Sequence, residues 1–172
     1  MANYDSYSKD HSKKICFECR EMLDVGLFRV REKKSGRGKG KYINNTCRKC
    51  EKDDVDEYRM TDVGIAAEIV RHKKSLCKQQ GLPFDLDRDW VLSRLNEIEW
   101  KCELTNLPMV RIKKVEKSYT PWNSISVDRI VHSGGYTKDN IRFVLNQINT
   151  FRGRNSDDTM YQIAEALVRN QP

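Results

Sequence analysis

Ile125-Ser-Val-Asp-Arg-Ile-Val-His-Ser-Gly-Gly-Tyr-Thr-Lys-Asp-Asn-Ile-Arg-Phe-Val-Leu-Asn-Gln-Ile-Asn149 is the stretch that decides the fold. Ile125 to Ile130 is short and rich in β-formers, and Ile141 to Leu145 is a second such run. Between them Ser133, Gly134 and Gly135 stand in a row, which is turn chemistry. Asn146 to Arg152 then predicts a helix. Strand, turn, strand and helix in this order predict a hairpin packed on a helix. Side chains alternate along a strand, so every second residue of the hairpin meets that helix.

The polar residues of the stretch suit one kind of chemistry. Hydrolysis of a phosphodiester asks for a hard cation that polarises the phosphate and steadies the leaving oxygen. Such a cation takes oxygen ligands, a carboxylate or an amide among them. Asp128 on the first strand and Asn149 on the helix supply these, and Mg²⁺ or Mn²⁺ suits the site. Arg129 supplies a cation for the phosphate. Either Tyr136 or His132 supplies a base to activate water.

These residues resemble the HNH, or ββα-metal, nuclease superfamily, in the branch where the usual Asp-His is replaced by Asp-Arg. Val127-Asp-Arg129, Gly135-Tyr136, Asn140-Ile-Arg142 and Asn149 carry the likeness. Cys102-Glu-Leu-Thr-Asn-Leu-Pro-Met109 and Gly81-Leu-Pro-Phe-Asp-Leu86 resemble segments that precede the hairpin in phage-encoded members. The resemblance implies a DNA endonuclease of phage, mobile-element or restriction type. Asp128 and Asn149 would bind the catalytic metal, and Arg129, standing where most members have the base histidine, would contact the scissile phosphate. Tyr136 would replace the missing base. A nearby guanidinium favours the phenolate and burial opposes it, so Tyr136, His132 and water all stay open as the base. Leu145 and Ile148 stand where some members have zinc cysteines, and an apolar cluster is expected there instead.

Upstream, Thr61 to Trp100 reads as helical. Val63, Ala66, Ala67 and Val70 share one face, Thr61 is the N-cap, and Gly81 and Pro83 end the first helix. A second helix runs from about Asp87 to Glu99, with Val91, Leu95 and Ile98 as its stripe. Downstream, Ser156 or Asp157 caps a last helix whose Met160, Ile163, Ala164 and Leu167 predict a buried face.

Towards the N-terminus, Cys16-x2-Cys19 and Cys47-x2-Cys50 form two knuckles separated by 27 residues. Four thiolates complete a tetrahedral site suited to Zn²⁺, and with no open position left the metal would be structural. A segment this short needs such a staple. Disulfides conflict with the absence of a secretion signal, and a reducing cytoplasm, bacterial or that of a phage-infected host, is expected. Arg29 to Lys41 is strongly basic, with Gly36, Gly38 and Gly40 interleaved. It reads either as a solvated loop or as a phosphate-gripping one, with Lys33, Lys34, Arg37, Lys39 and Lys41 on the DNA backbone.

The 172 residues carry a formal net charge of +7, which favours a polyanionic partner. No apolar run is long enough for a membrane span. The expectation is an α+β chain: residues 1–60 a zinc-ribbon-like module built on the four cysteines, 61–100 a helical connector, and 101–172 a ββα-metal core with a closing C-terminal helix. A homodimer is expected if both DNA strands are cut, a monomer if one is nicked. The rival reading is a non-catalytic, zinc-containing nucleic-acid-binding protein with a relic core.

Overall fold

The computed structural model describes residues 7–33, 40–111 and 120–171. The chain divides into two compact units, Met1–Tyr58 and Arg59–Pro172. Lys34, Arg37 and Lys39 of the basic loop lie outside the described residues.

The first unit holds two hairpins. β1 (Lys13–Ile15) pairs antiparallel with β2 (Met22–Asp24), and β3 (Phe28–Lys33) with β4 (Gly40–Cys47). α1 (Arg48–Arg59) follows directly. Cys16 and Cys19 sit in the β1–β2 turn, where Arg20 adopts φ 63° and donates its N–H to the Cys16 carbonyl. Cys47 ends β4 and Cys50 lies in the first turn of α1. The core is small: Cys16, Phe28, Cys47 and Cys50, with Leu23 and Ile43 against it. Lys14 is buried, and its ammonium donates to the carbonyls of Ile43 and Asn44 and to Asn45 Oδ1. Three acceptors satisfy the three N–H bonds of an ammonium, so this lysine ties one hairpin to the other.

The second unit opens with α2 (Asp62–Gln80). Thr61 caps it by accepting from Gly64 N–H, and Gly81, at φ 67°, ends it in the left-handed conformation expected of a C-cap glycine. α3 (Arg88–Glu97) is capped by Asp87. β5 (Ile125–Arg129) and β6 (Ile141–Leu145) form the hairpin, in a register that sets Asp128 opposite Arg142. α4 (Asn146–Arg152) and α5 (Asp157–Arg169) complete the chain. Ala66, Cys77, Val91, Leu95, Val127, Phe143 and Leu145 share one core, so the helices before the hairpin and the hairpin itself are built around the same apolar interior. Leu145 is buried and Ile148 packs beside it, the apolar cluster expected there.

All five residues of β6 are buried, which explains an apolar run broken only by Arg142. A buried edge must have its backbone satisfied. Glu103 does this: its N–H donates to the Phe143 carbonyl and its carboxylate accepts from Phe143 N–H. α4 has no side-chain cap; the N–H groups of Asn146 and Gln147 donate instead to the carbonyls of Ser124 and Trp122.

α5 departs from its expected face. Met160 is buried, but Ile163 is 42% and Leu167 63% exposed. The helix packs at its N-terminal end and carries the rest of its apolar arc at the surface of the described residues. No helix among those residues is long and apolar enough to cross a membrane.

Candidate functional site

β5 alternates, and its two faces carry different chemistry. Ser126 and Asp128 point to the α4 side. Asn149 Nδ2 donates to Ser126 Oγ at 2.7 Å, and Arg152, one turn further along α4, donates to Asp128 Oδ1 at 3.0 Å. The expected pair, Asp128 and Asn149, therefore shares one face of the ββα unit. The side-chain oxygen of Asn149 accepts no hydrogen bond among the described residues, and it is a hard ligand atom.

Asp128 is differently placed. It is 4% exposed, and both its oxygens are engaged. Arg142, directly across the hairpin, donates from Nε to Oδ2 at 2.9 Å, while Arg152 holds Oδ1. Both arginines also hold Asp157, the first residue of α5: Arg142 through two bonds of 2.7 Å and Arg152 through Nε at 2.7 Å. Arg152 donates further to the carbonyls of Arg129 and Ile130. Two guanidiniums and two carboxylates close a neutral network. The hydrogen bonds from Arg142, and then those from Arg152, hold the Asp157 carboxyl at about 2, against the opposing push of burial.

Sequence reasoning missed this network, although the signal was present. Hairpin register puts residue 142 opposite 128, and Arg152 follows Asn149 by three, the spacing of a shared helix face.

Arg129 points to the other side of β5. Its Nη1 donates to the Gly134 carbonyl at 3.0 Å, and its guanidinium carbon lies 5.1 Å from the centre of the Tyr136 ring. Arg129 and Tyr136 are thus brought together, as expected. Tyr136 is fixed from outside the hairpin: its N–H donates to the Pro83 carbonyl, and Phe84 pairs with it as a parallel bridge. The Gly81-Leu-Pro-Phe-Asp-Leu86 segment is therefore the rib that seats the tyrosine. Burial pushes the Tyr136 phenol above its usual range, and the Arg129 guanidinium offsets this only in part. The phenolate form is disfavoured in the chain alone. His132 is exposed in the turn and makes no hydrogen bond with Asp128, Arg129 or Asn149.

The cysteines form the second site. The four sulfurs of Cys16, Cys19, Cys47 and Cys50 lie within 4.8 Å of one another. A tetrahedral Zn²⁺ with bonds of about 2.3 Å needs sulfurs roughly 3.8 Å apart, so the cluster fits the ion with little movement. Burial raises the Cys16 thiol, but N–H groups of Cys47, Cys19 and Glu18 outweigh it and bring the thiol down to about 6. Donation of its own S–H to Cys47, with burial, pushes the Cys50 thiol up to about 12. One sulfur is poised as thiolate and another resists it, because crowded thiolates repel until a cation joins them.

The basic stretch is partly neutralised. Glu51 on α1 accepts from Arg29 at 3.1 Å and from Arg31 at 2.9 Å. Lys33 and Lys41 are exposed at the described ends of β3 and β4, Lys41 opposite Glu32.

The sequence matches no protein-family model. It matches no curated protein. Among solved structures, it is similar to one described as the rare-cutting HNH restriction endonuclease PacI, with 14% identity over 90% of this chain and 92% of that one, at a TM-score of 0.41.

Proposed function

We propose that the chain is a metal-dependent endonuclease that hydrolyses DNA phosphodiester bonds on its ββα unit, with Zn²⁺ as a structural ion in the cysteine cluster. The observation that carries this reading is the common face of Asp128 and Asn149 on the ββα unit. Mg²⁺ or Mn²⁺ would be held by Asn149 Oδ1 and by the acceptor capacity left on Asp128 Oδ1. A carboxylate has about four lone-pair sites, and three are used by the bonds from Arg142 and Arg152. When bound, the ion polarises the phosphodiester and stabilises the leaving oxygen.

The chain's own residues then have separate tasks. Arg129 holds a backbone phosphate on its own side of the strand. Arg142 and Arg152 fix the Asp128 carboxylate so that it does not rotate. Tyr136, on the Arg129 side and kept protonated by burial, offers a neutral hydroxyl to the nucleic-acid backbone there, and water at the metal face acts without a side-chain base. Cutting both strands from one site of this size would call for two protomers.

A second reading is favoured by the same network. Asp128 bound to two arginines is a satisfied structural carboxylate, and a protein in that state binds nucleic acid without cutting it.

Plasmid cleavage separates the two. Wild type should convert supercoiled DNA only with added Mg²⁺ or Mn²⁺; chelators are avoided because they would strip the cysteine site. Asn149→Ala should lower the rate by more than about 100-fold, the upper end for a residue that merely supports a ligand, with an unchanged melting temperature. Asp128→Asn is the matched second variant, since alanine would strand two buried guanidiniums. A wild type that retards DNA in a gel but never cuts it, under any divalent ion, establishes the binding reading.

A further inference from the structure

Lys73, on α2, plays no part in the chemistry derived so far. Its ammonium sits 4.7 Å from the centre of the Tyr136 ring, the same ring that Arg129 covers at 5.1 Å. Among the described residues, neither Lys73 nor Arg129 has a carboxylate partner: Asp128, the acid next to Arg129, points to the opposite face and is held by Arg142 and Arg152. Lys73 is half-buried, and burial together with the Arg129 charge makes its ammonium easier to deprotonate than a free lysine. Two cations set against one aromatic ring, partly out of water and without an anion, are costly to hold. An incoming anion removes that cost.

Lys73 borders open space. A cleft of about 220 Å³ between α2 and β5 is lined by Lys73, His72, Ser126, Val127 and Glu68, with Arg129 and Tyr136 outside its lining. Ser126 is the residue that also holds Asn149. Glu68 is taken by Arg71 on its own helix. The Tyr136 hydroxyl makes no hydrogen bond among the described residues, yet no buried side-chain oxygen or nitrogen there lacks a partner, so the hydroxyl is not sealed from solvent.

We propose that Lys73 and Arg129, set on the Tyr136 ring, form a phosphate-binding subsite that takes a backbone phosphate of the nucleic acid. This rests on the nucleic-acid reading given above and adds α2 to the binding surface. The subsite takes the oxyanion and carries no sequence information.

The test uses the full chain with no added divalent ion and no chelator. Binding of a fluorescent DNA duplex is followed by anisotropy across a series of NaCl concentrations, for wild type, Lys73→Gln, Lys73→Arg and Lys74→Gln. Lys74 is the exposed neighbour on α2, so its variant changes net charge equally without touching the ring. Lys73→Gln should weaken binding and flatten the slope of log K against log salt by about 1, Lys73→Arg should retain the slope, and Lys74→Gln should move it less. In a second arm, inorganic phosphate is titrated at constant ionic strength while the Lys73 side-chain NMR signal, assigned by its loss in Lys73→Gln, is watched. A wild type that binds no duplex, but whose Lys73 signal shifts with phosphate, keeps the subsite for free phosphate and removes the nucleic-acid reading. A wild type that binds duplex with the same slope as Lys73→Gln overturns the subsite and leaves that reading standing. Equal effects of Lys73→Gln and Lys74→Gln also overturn it, as does a signal that ignores phosphate when no duplex is bound.

Discussion

Asp128 is one residue asked to do two things, and its partners decide the balance. Its side chain is 5% exposed, and so is that of Arg152, so neither charge can turn to water if the other is lost. Arg152→Ala should therefore cost about 3–5 kcal/mol of unfolding free energy in urea, the usual penalty for stranding a buried charge, with the carbonyls of Arg129 and Ile130 adding to it. Asp157 gives the network a pH signature. Its folded carboxyl lies at about 2, below the ordinary 3.8. A depressed folded value means stability that is present above pH 3.8 and is lost as pH falls towards 2. Asp157→Asn should be less stable than wild type by about 1–2 kcal/mol at about pH 6, a figure reduced because the side chain is partly open to solvent. That gap should close between about pH 4 and about pH 2 in urea titrations; a gap independent of pH would mean that shape, not charge, is what Asp157 contributes. The sequence made Asp128, Arg129, Tyr136 and Asn149 legible because they lie within 22 consecutive positions whose periodicity fixes their faces. Lys73 was not legible: its meeting with Tyr136 spans 63 positions, and nothing local on α2 marks it.

At the scale of elements, the hairpin is positioned less by its own strands than by the rib that precedes it. A Cβ on Gly135 would stand 2.0 Å from the Pro83 carbonyl oxygen, and one on Gly134 2.5 Å from the Asn140 amide. Neither separation is tolerable, so Gly135→Ala must push the turn off the Pro83–Asp85 segment and lift Tyr136 with it. The expected cost is about 1–3 kcal/mol, as for overpacking in a core, together with loss of the ring contacts to Lys73 and Arg129. Thermal melts measure the first, and an increase in Tyr136 fluorescence quenching by acrylamide, read against a Tyr136→Phe blank, measures the second. An unchanged melt would show that the turn yields freely. The elements themselves followed from the sequence wherever a cap or a breaker marked their ends: Thr61 and Gly81 stand where the pattern placed them, Ser156 is the cap of the two offered, and Asp87, expected as the first residue of its helix, is instead the N-cap before it. The face of α5 did not follow. Periodicity records that Ile163 and Leu167 share a side with Met160, but not how far the rest of the chain reaches along that side.

At the scale of the whole molecule, the two units rest on different foundations. Among the described residues, Arg59–Pro172 enclose a core of fourteen buried side chains and the Met1–Tyr58 unit one of four, three of which are cysteines of the cluster. Remove a cation from that cluster and the described residues of the first unit keep Phe28, with Leu23 and Ile43 beside it, as apolar burial. Such a remnant cannot offset the entropy of ordering some fifty residues, at about 1–2 kcal/mol each for the backbone. The second unit has no share in the thiolates and needs no ion for its core. Chelation of the full chain should therefore unfold one unit and spare the other. Amide exchange in β3, β4 and α1 should lose its protection on adding a zinc chelator, while Val91, Leu95 and Phe143 stay protected, and Zn²⁺ should restore the lost protection at about one ion per chain. Cys47→Ser should behave like the chelated wild type, because Cys47 both supplies a ligand and donates its N–H to Cys16 Sγ at 3.3 Å. Protection that survives chelation in β4 and α1 would show that the cysteines are an ordinary small core. Protection lost in both units together would show that the chain folds as one cooperative body despite its two interiors.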